Sequence, residues 1–430
     1  MISKNKKEKN PGMLTLHTAD FEDARQRDCA RVIASLHEGG GKSRATLAAE
    51  LDMTSMATSR AIANLVGRGI IEQSVGQVSG RGRPPAQIVL NPGCAGATVL
   101  LVSSQELVGV LVDFRGSVLA RQTAHVPSDA DSARMTATMR DLVAGLIGSC
   151  PSGMHHVGTS VAVSGIVDVK TRTWILTSRW PNVRDFDVGK ALGGLTPRVF
   201  LFRQLDVELS ARYAAPDMER LESAFILHWG WGIGLAYRGS DDAPMRQGGP
   251  FGEIGHWRFN VLKDRPCGCG NRGCLETAAS LSALLPVIRE IYPWASGEEE
   301  LLSSQIETME LTDIPEIRVA VDLMARALGN ACRLLFPEKV FITGPFTCNA
   351  GLYQLLHSRF EAEGLVGTLR LPTLISDRSS LDYVVKGAVQ PLHEIAVRVL
   401  LGTPQGKPNG AARSRRNGKR QGADALTRSI

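Results

Sequence analysis

In the first ninety positions, apolar residues recur at helical spacing and then change to alternation. Residues 23–38 place Ala30, Ile33, Ala34 and His37 at a 3.6-residue period, and Gly39-Gly40-Gly41 ends that helix. Ser43 caps a second helix with Leu47, Ala48 and Leu51 on one face, and Thr54 caps a third with Ile62, Leu65 and Val66 turned inward, ended by Gly69. IIEQSV and AQIVLN then alternate as two strands around GQVSGRGRPP. Three short helices and a hairpin predict a winged helix-turn-helix over residues 23–92. Past Gly93, ATVLLV, ELVGVLVDF and GSVLARQTAHV read as three strands in a meander. An amphipathic helix over 132–149 and a buried strand and turn in HVGTSVAVSGIVD follow. Strands and helices then alternate, with AFILHW and KVFIT as short strand runs. The fold class is therefore α/β over residues 93–402. Residues 1–22 and 403–430 lack periodicity and are expected to be disordered, basic ends. No period of solenoid length is present.

Charge sharpens this division. The net charge is +6, with 13 Lys/Arg against 9 Asp/Glu in residues 1–90 and 7 against 1 in residues 403–430. The body between is acidic and repels a phosphate backbone, whereas the two ends attract one. For the C-terminal tail, simple solubility is an equally open reading. No run of eighteen apolar residues suggests a membrane span, and MISKNKKEKN has no apolar signal core. The chain is expected in the cytoplasm, away from membranes.

Candidate chemistry falls in two places. On the third helix, Ser55, Met56, Ser59 and Arg60 face outward once Ile62 and Leu65 turn in, placing them toward base edges, while Arg44 on the second helix suits a phosphate. Arg81 and Arg83, on the stiff GRGRPP tip, suit a narrow minor groove. A solvated tip or linker, and a winged helix that binds protein, are the alternatives. Further on, three of the eight cysteines fall close together: Cys267, Cys269 and Cys274. With His256 they supply one imidazole and three thiolates, the set of a closed tetrahedral structural zinc (Zn2+) site with no open position for water. A reduced loop without metal is the alternative.

The stretch GEIGHWRFNVLKDRPCGCGNRGCLETAAS resembles the signature of the ROK family, which groups repressors and sugar kinases. SGIVD, GWGIG and SRATLAAELDMTSMATSRAIANL followed by GRP agree in order. The resemblance spans about residues 25–400. It implies a two-lobed, actin-like and hexokinase-like ATPase fold behind the winged helix, with the knuckle beside a sugar pocket. It also implies that Glu253, His256 and Glu276 are sugar ligands, one ring nitrogen of His256 holding zinc and the other facing a hydroxyl. In FRQLDVELSARYA the resemblance implies a fourth sugar ligand, Asp206, which matches the kinases' general base, and Leu205 stands where they have Asn. Ser178 and Gly165 are weaker pocket candidates that read equally as turn residues.

Against the same resemblance, the nucleotide elements are altered. Leu101-Val102-Ser103-Ser104-Gln105 stands where the kinases have an Asp-x-Gly-Gly-Thr loop. Gly230-Trp231-Gly232-Ile233-Gly234 has indole in place of a hydroxyl, and Thr343-Gly344-Pro345-Phe346 loses a backbone N–H to proline and gains bulk. These changes lead to the expectation of a non-enzymatic, DNA-binding regulator of carbohydrate genes that binds a sugar or phosphosugar, uses no ATP and forms a homodimer or homotetramer on a double-stranded operator. A sugar kinase carrying a DNA module, and a regulator controlled by a partner protein, remain as alternatives.

Overall fold

The structure, a computed structural model, describes residues 14, 16, 21, 23–74, 87–215, 221–239, 251–364, 367, 369–378 and 380–402. The expected wing tip with Arg81 and Arg83, and the tail 403–430, lie outside the described residues.

The three N-terminal helices lie where the periodicity puts them: α1 (Ala24–Glu38), α2 (Arg44–Glu50) and α3 (Ser55–Gly67). Ser43 Oγ accepts from the Thr46 N–H and Thr54 Oγ1 from the Ala57 N–H, so each hydroxyl satisfies an otherwise unpaired donor of its first turn. Strands β1 (Ile71–Ser74) and β2 (Gln87–Leu90) pair antiparallel, Ile71 opposite Leu90 and Ser74 opposite Gln87. Lys42 adds a bridge to Ile88. Leu47, Ile62 and Leu65 are fully buried as expected, but Val66 is 38% exposed. Ala61, one turn back from Leu65, fills the inward position instead. The segment expected to be disordered at the N-terminus is also corrected in part, since Leu14 and Phe21 are buried in the core around α1.

Two sheets follow. In the first, β3 (Ala95–Ser103), β4 (Glu106–Asp113) and β5 (Val118–His125) form the antiparallel meander. After α4 (Ser132–Gly148), β6 (His155–Val163) adds parallel to β3. A small sheet of β7 (Ile166–Asp168), β8 (Thr173–Leu176) and β9 (Phe186–Asp187) and a short α5 (Val188–Ala191) precede β10 (Val199–Arg203), which adds parallel to β6. The order is β10-β6-β3-β4-β5. Helix α6 (Gln204–Tyr213) leads to the second sheet, with β11 (Ser223–Trp229) and β12 (Ile233–Gly239) antiparallel. Helices α7 (Glu276–Ala279), α8 (Leu281–Ile291), α9 (Glu299–Gln305) and α10 (Pro315–Leu335) precede β13 (Lys339–Thr343). Helix α11 (Ala350–Gly364) and β14 (Thr373–Ser376) complete the order β12-β11-β13-β14. Both sheets thus share one plan: a leading strand, an antiparallel neighbour on one side and two parallel neighbours on the other. They form two lobes, and functional side chains gather where the strand ends face each other.

The last helix, α12 (Leu381–Leu400), returns to the first lobe. One apolar cluster joins Ile33, Leu36 and Leu65 of the N-terminal helices, Val110 and Val112 of the first sheet with Phe114 just past β4, and Leu392, Ala396 and Leu401 near the end of α12. The rings of His37, Phe114 and His393 meet edge to face within this cluster, 5.2–5.6 Å between centroids. Arg68 Nη1 donates to the Leu400 carbonyl at 3.0 Å. Among the described residues no helix is long and apolar enough to cross a membrane.

Candidate functional site: the cleft between the lobes

A cleft of about 680 Å³ opens between the lobes, within the ~300–1,000 Å³ range of small-molecule sites. Its first-lobe wall includes Ser104, Gly165, Ser178, Arg179 and Arg203; its second-lobe wall includes His228, Trp231, Glu253, His256, Glu276 and Glu299. The cleft therefore brings together Glu253, His256 and Glu276, three of the four expected sugar ligands. The fourth, Asp206, is not among the described residues that line it.

Arg203 explains the position of Asp206. Its guanidinium, at the end of β10, is 6% exposed and reaches Asp206 Oδ1 at 2.7 Å from Nη2 and Oδ2 at 3.3 Å from Nε. The same side chain donates to Glu253 Oε1 at 3.0 Å, to the Leu235 carbonyl at 2.7 Å and to the Phe251 carbonyl. Forked donation to a carboxylate is strong and directional, so both oxygens of the would-be base are engaged. Arg203 itself faces the cleft, together with Gln204 and Leu205. Burial raises the Glu253 carboxyl above the usual range, with Arg203 opposing. Burial and the neighbouring Glu253 push Glu276 up to about 7. Glu276 Oε2 lies 3.9 Å from His256 Nε2. Gly232 also lines the cleft; a Cβ there would make ordinary contact, 3.5 Å, with Glu276 Oε1 and with Ser178 Oγ. Gly165 is a turn residue first, with φ of +102° and a Cβ position 2.2 Å from the Leu176 carbonyl oxygen.

Behind His256 lies the cysteine group. The ligand atoms of His256, Cys267, Cys269 and Cys274 all lie within 4.8 Å of one another. His256 Nδ1 is 3.6 Å from Cys267 Sγ, and Cys269 Sγ is 3.7 Å from Cys274 Sγ. A tetrahedral ion with bonds of about 2.3 Å to sulfur sets its sulfurs roughly 3.7 Å apart. The donor set and its spacing thus fit one metal ion. His256 presents Nδ1 to this group and Nε2 to the cleft.

The opposite half of the cleft is bridged shut by the Arg179–Glu299 ion pair, and both residues line the cavity that remains. β3 and β4 join through a two-residue turn, Ser104-Gln105, with Ser103 opposite Glu106 and Ser104 at φ of +54°. The Trp231 ring lies under the Arg179 guanidinium at 4.3 Å, a cation–π contact. Phe346 differs from expectation: it does not fill the cleft but is buried in the second-lobe core, tilted against Trp229 at 4.9 Å. Gly344 and Pro345 line the cleft in its place. Sequence reasoning missed Arg179, Arg203, His228 and Glu299. Arg203 had one local signal, its three-residue spacing from Asp206 on the first helical turn. Glu299 had none, because it sits in a run of acidic residues and meets its partners only in the fold.

At the N-terminal end, Arg44, Ser55, Met56 and Arg60 are exposed and Ser59 half-buried; Met56 is 70% exposed. They share the outer side of α2 and α3, as the helical spacing requires.

Residues 103–382 match the ROK family. The chain is 23% identical over 316 residues to the xylose repressor of Caldicellulosiruptor bescii, covering 70% of this chain and 78% of that protein. It is 23% identical over 341 residues to the DNA-binding transcriptional dual regulator NagC of Escherichia coli K12, covering 75% and 81%. Among solved structures, a ROK family transcriptional regulator, a homolog of the E. coli MLC protein, superposes with a TM-score of 0.64 at 18% identity, covering 88% of this chain and 98% of that one. The match takes in the loops that carry the cleft and the cysteine group, and the chain belongs to the ROK family.

Proposed function

We propose that this chain is a transcriptional repressor of carbohydrate-metabolism genes, whose winged helix-turn-helix binds a double-stranded DNA operator and whose cleft binds a sugar or phosphosugar without turning it over. The contrast between the cleft's two halves carries the reading. Acceptors for hydroxyls (Glu253, Glu276 and the Nε2 side of His256) face the open half, whereas the half that corresponds to the kinases' phosphate loops is bridged by Glu299, which pairs with Arg179 and accepts from the Trp231 N–H. The names of the relatives, a xylose repressor and a transcriptional regulator, support the same reading.

In this reading each hydroxyl of a bound sugar donates to a carboxylate oxygen, and Glu253 and Glu276 accept from neighbouring hydroxyls. Asp206 acts through Arg203, holding the guanidinium that lines the cleft, and is not a working base. His256 with Cys267, Cys269 and Cys274 holds a zinc ion that serves as a structural brace, fixing the His256 tautomer so that Nε2 is directed at the ligand. No ATP is used. On DNA, α3 presents Ser55, Met56, Ser59 and Arg60 to base edges, Arg44 meets a phosphate, and Arg81 with Arg83 enters the minor groove. A dimer or tetramer places two such modules on two half-sites. A ligand that binds one lobe arrangement more tightly changes operator affinity by that differential alone.

Calorimetry of the purified protein against monosaccharides and their phosphates tests this. We expect saturable binding of one of them, no hydrolysis of ATP in its presence, and operator affinity that changes with the ligand. Arg60→Ala lowers operator affinity by about 1–3 kcal/mol while leaving ligand binding unchanged. Phosphorylation of the ligand would establish a kinase instead, and operator binding that ignores every ligand would point to control by a partner protein.

A further inference from the structure

The closed half of the cleft contains more than missing glycines. Glu299, at the start of α9, places its carboxylate where the two loops converge. Oε1 accepts from the Trp231 N–H at 2.8 Å and from Arg179 Nη2 at 3.1 Å. Oε2 lies 3.0 Å from His228 Nε2, whose Nδ1 is 3.2 Å from Thr343 Oγ1. The Glu299 N–H donates to Ser104 Oγ at 3.2 Å, and Arg179 Nη1 reaches the Gly297 carbonyl at 3.5 Å. Gly230 makes this possible. A Cβ there would stand 2.6 Å from Glu299 Oε2 and 2.4 Å from His228 Nε2, so only glycine leaves room for the carboxylate. A guanidinium, an imidazole and a loop N–H around one oxyanion are the donor set with which proteins hold phosphoryl groups. The buried Trp231 Nε1, also at this wall, has no hydrogen-bond partner.

We propose that Glu299 is a built-in oxyanion: its side chain occupies an anion site for a phosphoryl group, formed by Arg179, His228 and the Trp231 N–H, and through Arg179 and Ser104 it latches the two lobes together. The carboxylate has the charge and oxygen geometry of a bound anion but is tethered to the protein, so it competes at a high effective concentration. Free phosphoryl ligands are excluded by occupation, not by absence of a site. Burial by itself would raise the Glu299 carboxyl, yet His228 and then Arg179 hold it down to about 2, as a true ligand of that site requires. The inference does not depend on which sugar the open half takes.

The test is a titration of wild type, Glu299→Ala and the double variant Arg179→Met/Glu299→Ala with inorganic pyrophosphate and with formate, read by calorimetry and thermal melting. Glu299→Ala should bind pyrophosphate at least tenfold more tightly than wild type and should melt higher with either anion. The double variant should lose that gain. If Glu299→Ala does not accumulate folded, Glu299→Gln is read in the same titration and should show a pyrophosphate response that wild type lacks. Equal responses in wild type and variant, or a gain that survives loss of Arg179, would overturn the proposal.

Discussion

Arg203 and Arg179 both line the first-lobe wall of one cleft, each 6% exposed and each paired with a carboxylate of the second lobe. Arg203 leaves the open half in place: it aligns Asp206 and Glu253 and still lines the cavity. Arg179 completes the closed half, pairing with Glu299 and covering Trp231. The same chemical device, a buried guanidinium and its acids, thus preserves a binding surface in one place and fills one in the other. The difference lies in what surrounds the pair. Asp206 and Glu253 share one cation, Arg203, whereas Glu299 is held by Arg179, His228 and a backbone N–H.

Breaking each half should give effects of different size. The largest is expected behind the open half, at the cysteine group. Cys269→Ser should abolish stoichiometric zinc, measured by elemental analysis, and lower stability by a sizeable fraction of the ~10–16 kcal/mol that small zinc peptides gain from the metal. The pyrophosphate response of the Glu299→Ala background should be unchanged. Undiminished stability in chelator would remove the metal from the account. Next, Arg203→Met leaves two half-buried acids without their cation and should cost up to about 3–5 kcal/mol in denaturant unfolding. Arg179→Met should cost less, because His228 and Trp231 still hold Glu299, and an equal cost would erase the contrast.

The smallest effect separates the halves by pH. Burial would lower the His228 pKa, but Glu299 raises it overall; Arg179, Thr343 and Glu208 complete the groups that face His228. A raised histidine contributes stability below its unfolded value of about 6.5 and loses it as pH rises through the folded value. A depressed glutamate contributes above about 4.3 and loses it as pH falls toward about 2. The melting difference between wild type and Glu299→Gln should therefore be greatest between about pH 4.3 and 6.5 and shrink on both sides, by at most about 1.4 kcal/mol per pH unit for each proton. A flat difference across pH 4–9 would show that the latch carries no titrating partner.

What could be read from the chain in advance was what repeats or clusters locally. Ser43 and Thr54 announced two helix starts, alternation placed β1 and β2, strand-like runs placed β3 to β5, and the spacing of Cys267, Cys269 and Cys274 announced a group that could hold a metal ion. Where inward-facing positions were assigned by spacing alone, one error followed: Val66 lies at the edge of the helical stripe and meets solvent. The closed half was legible only as loss. Changes in Ser103–Gln105 and at Trp231 signalled that a phosphate does not belong there, but Glu299 lies 195 residues from Ser104 and 120 from Arg179. No local pattern encodes a contact over such separations. Phe346 shows the opposite failure, since bulk in a loop was read as filling a cavity when the ring turned into the core.

The ring trio of His37, Phe114 and His393, with Arg68 hydrogen-bonded to the Leu400 carbonyl, bears on modularity. Because the N-terminal helices complete their interior with the far end of the chain, the N-terminal module and the body are not interchangeable cassettes split near residue 92. A graft that exchanged the first ninety residues alone would leave the last helix facing a foreign surface, so a chimera must carry both ends of the polypeptide to inherit an intact seam.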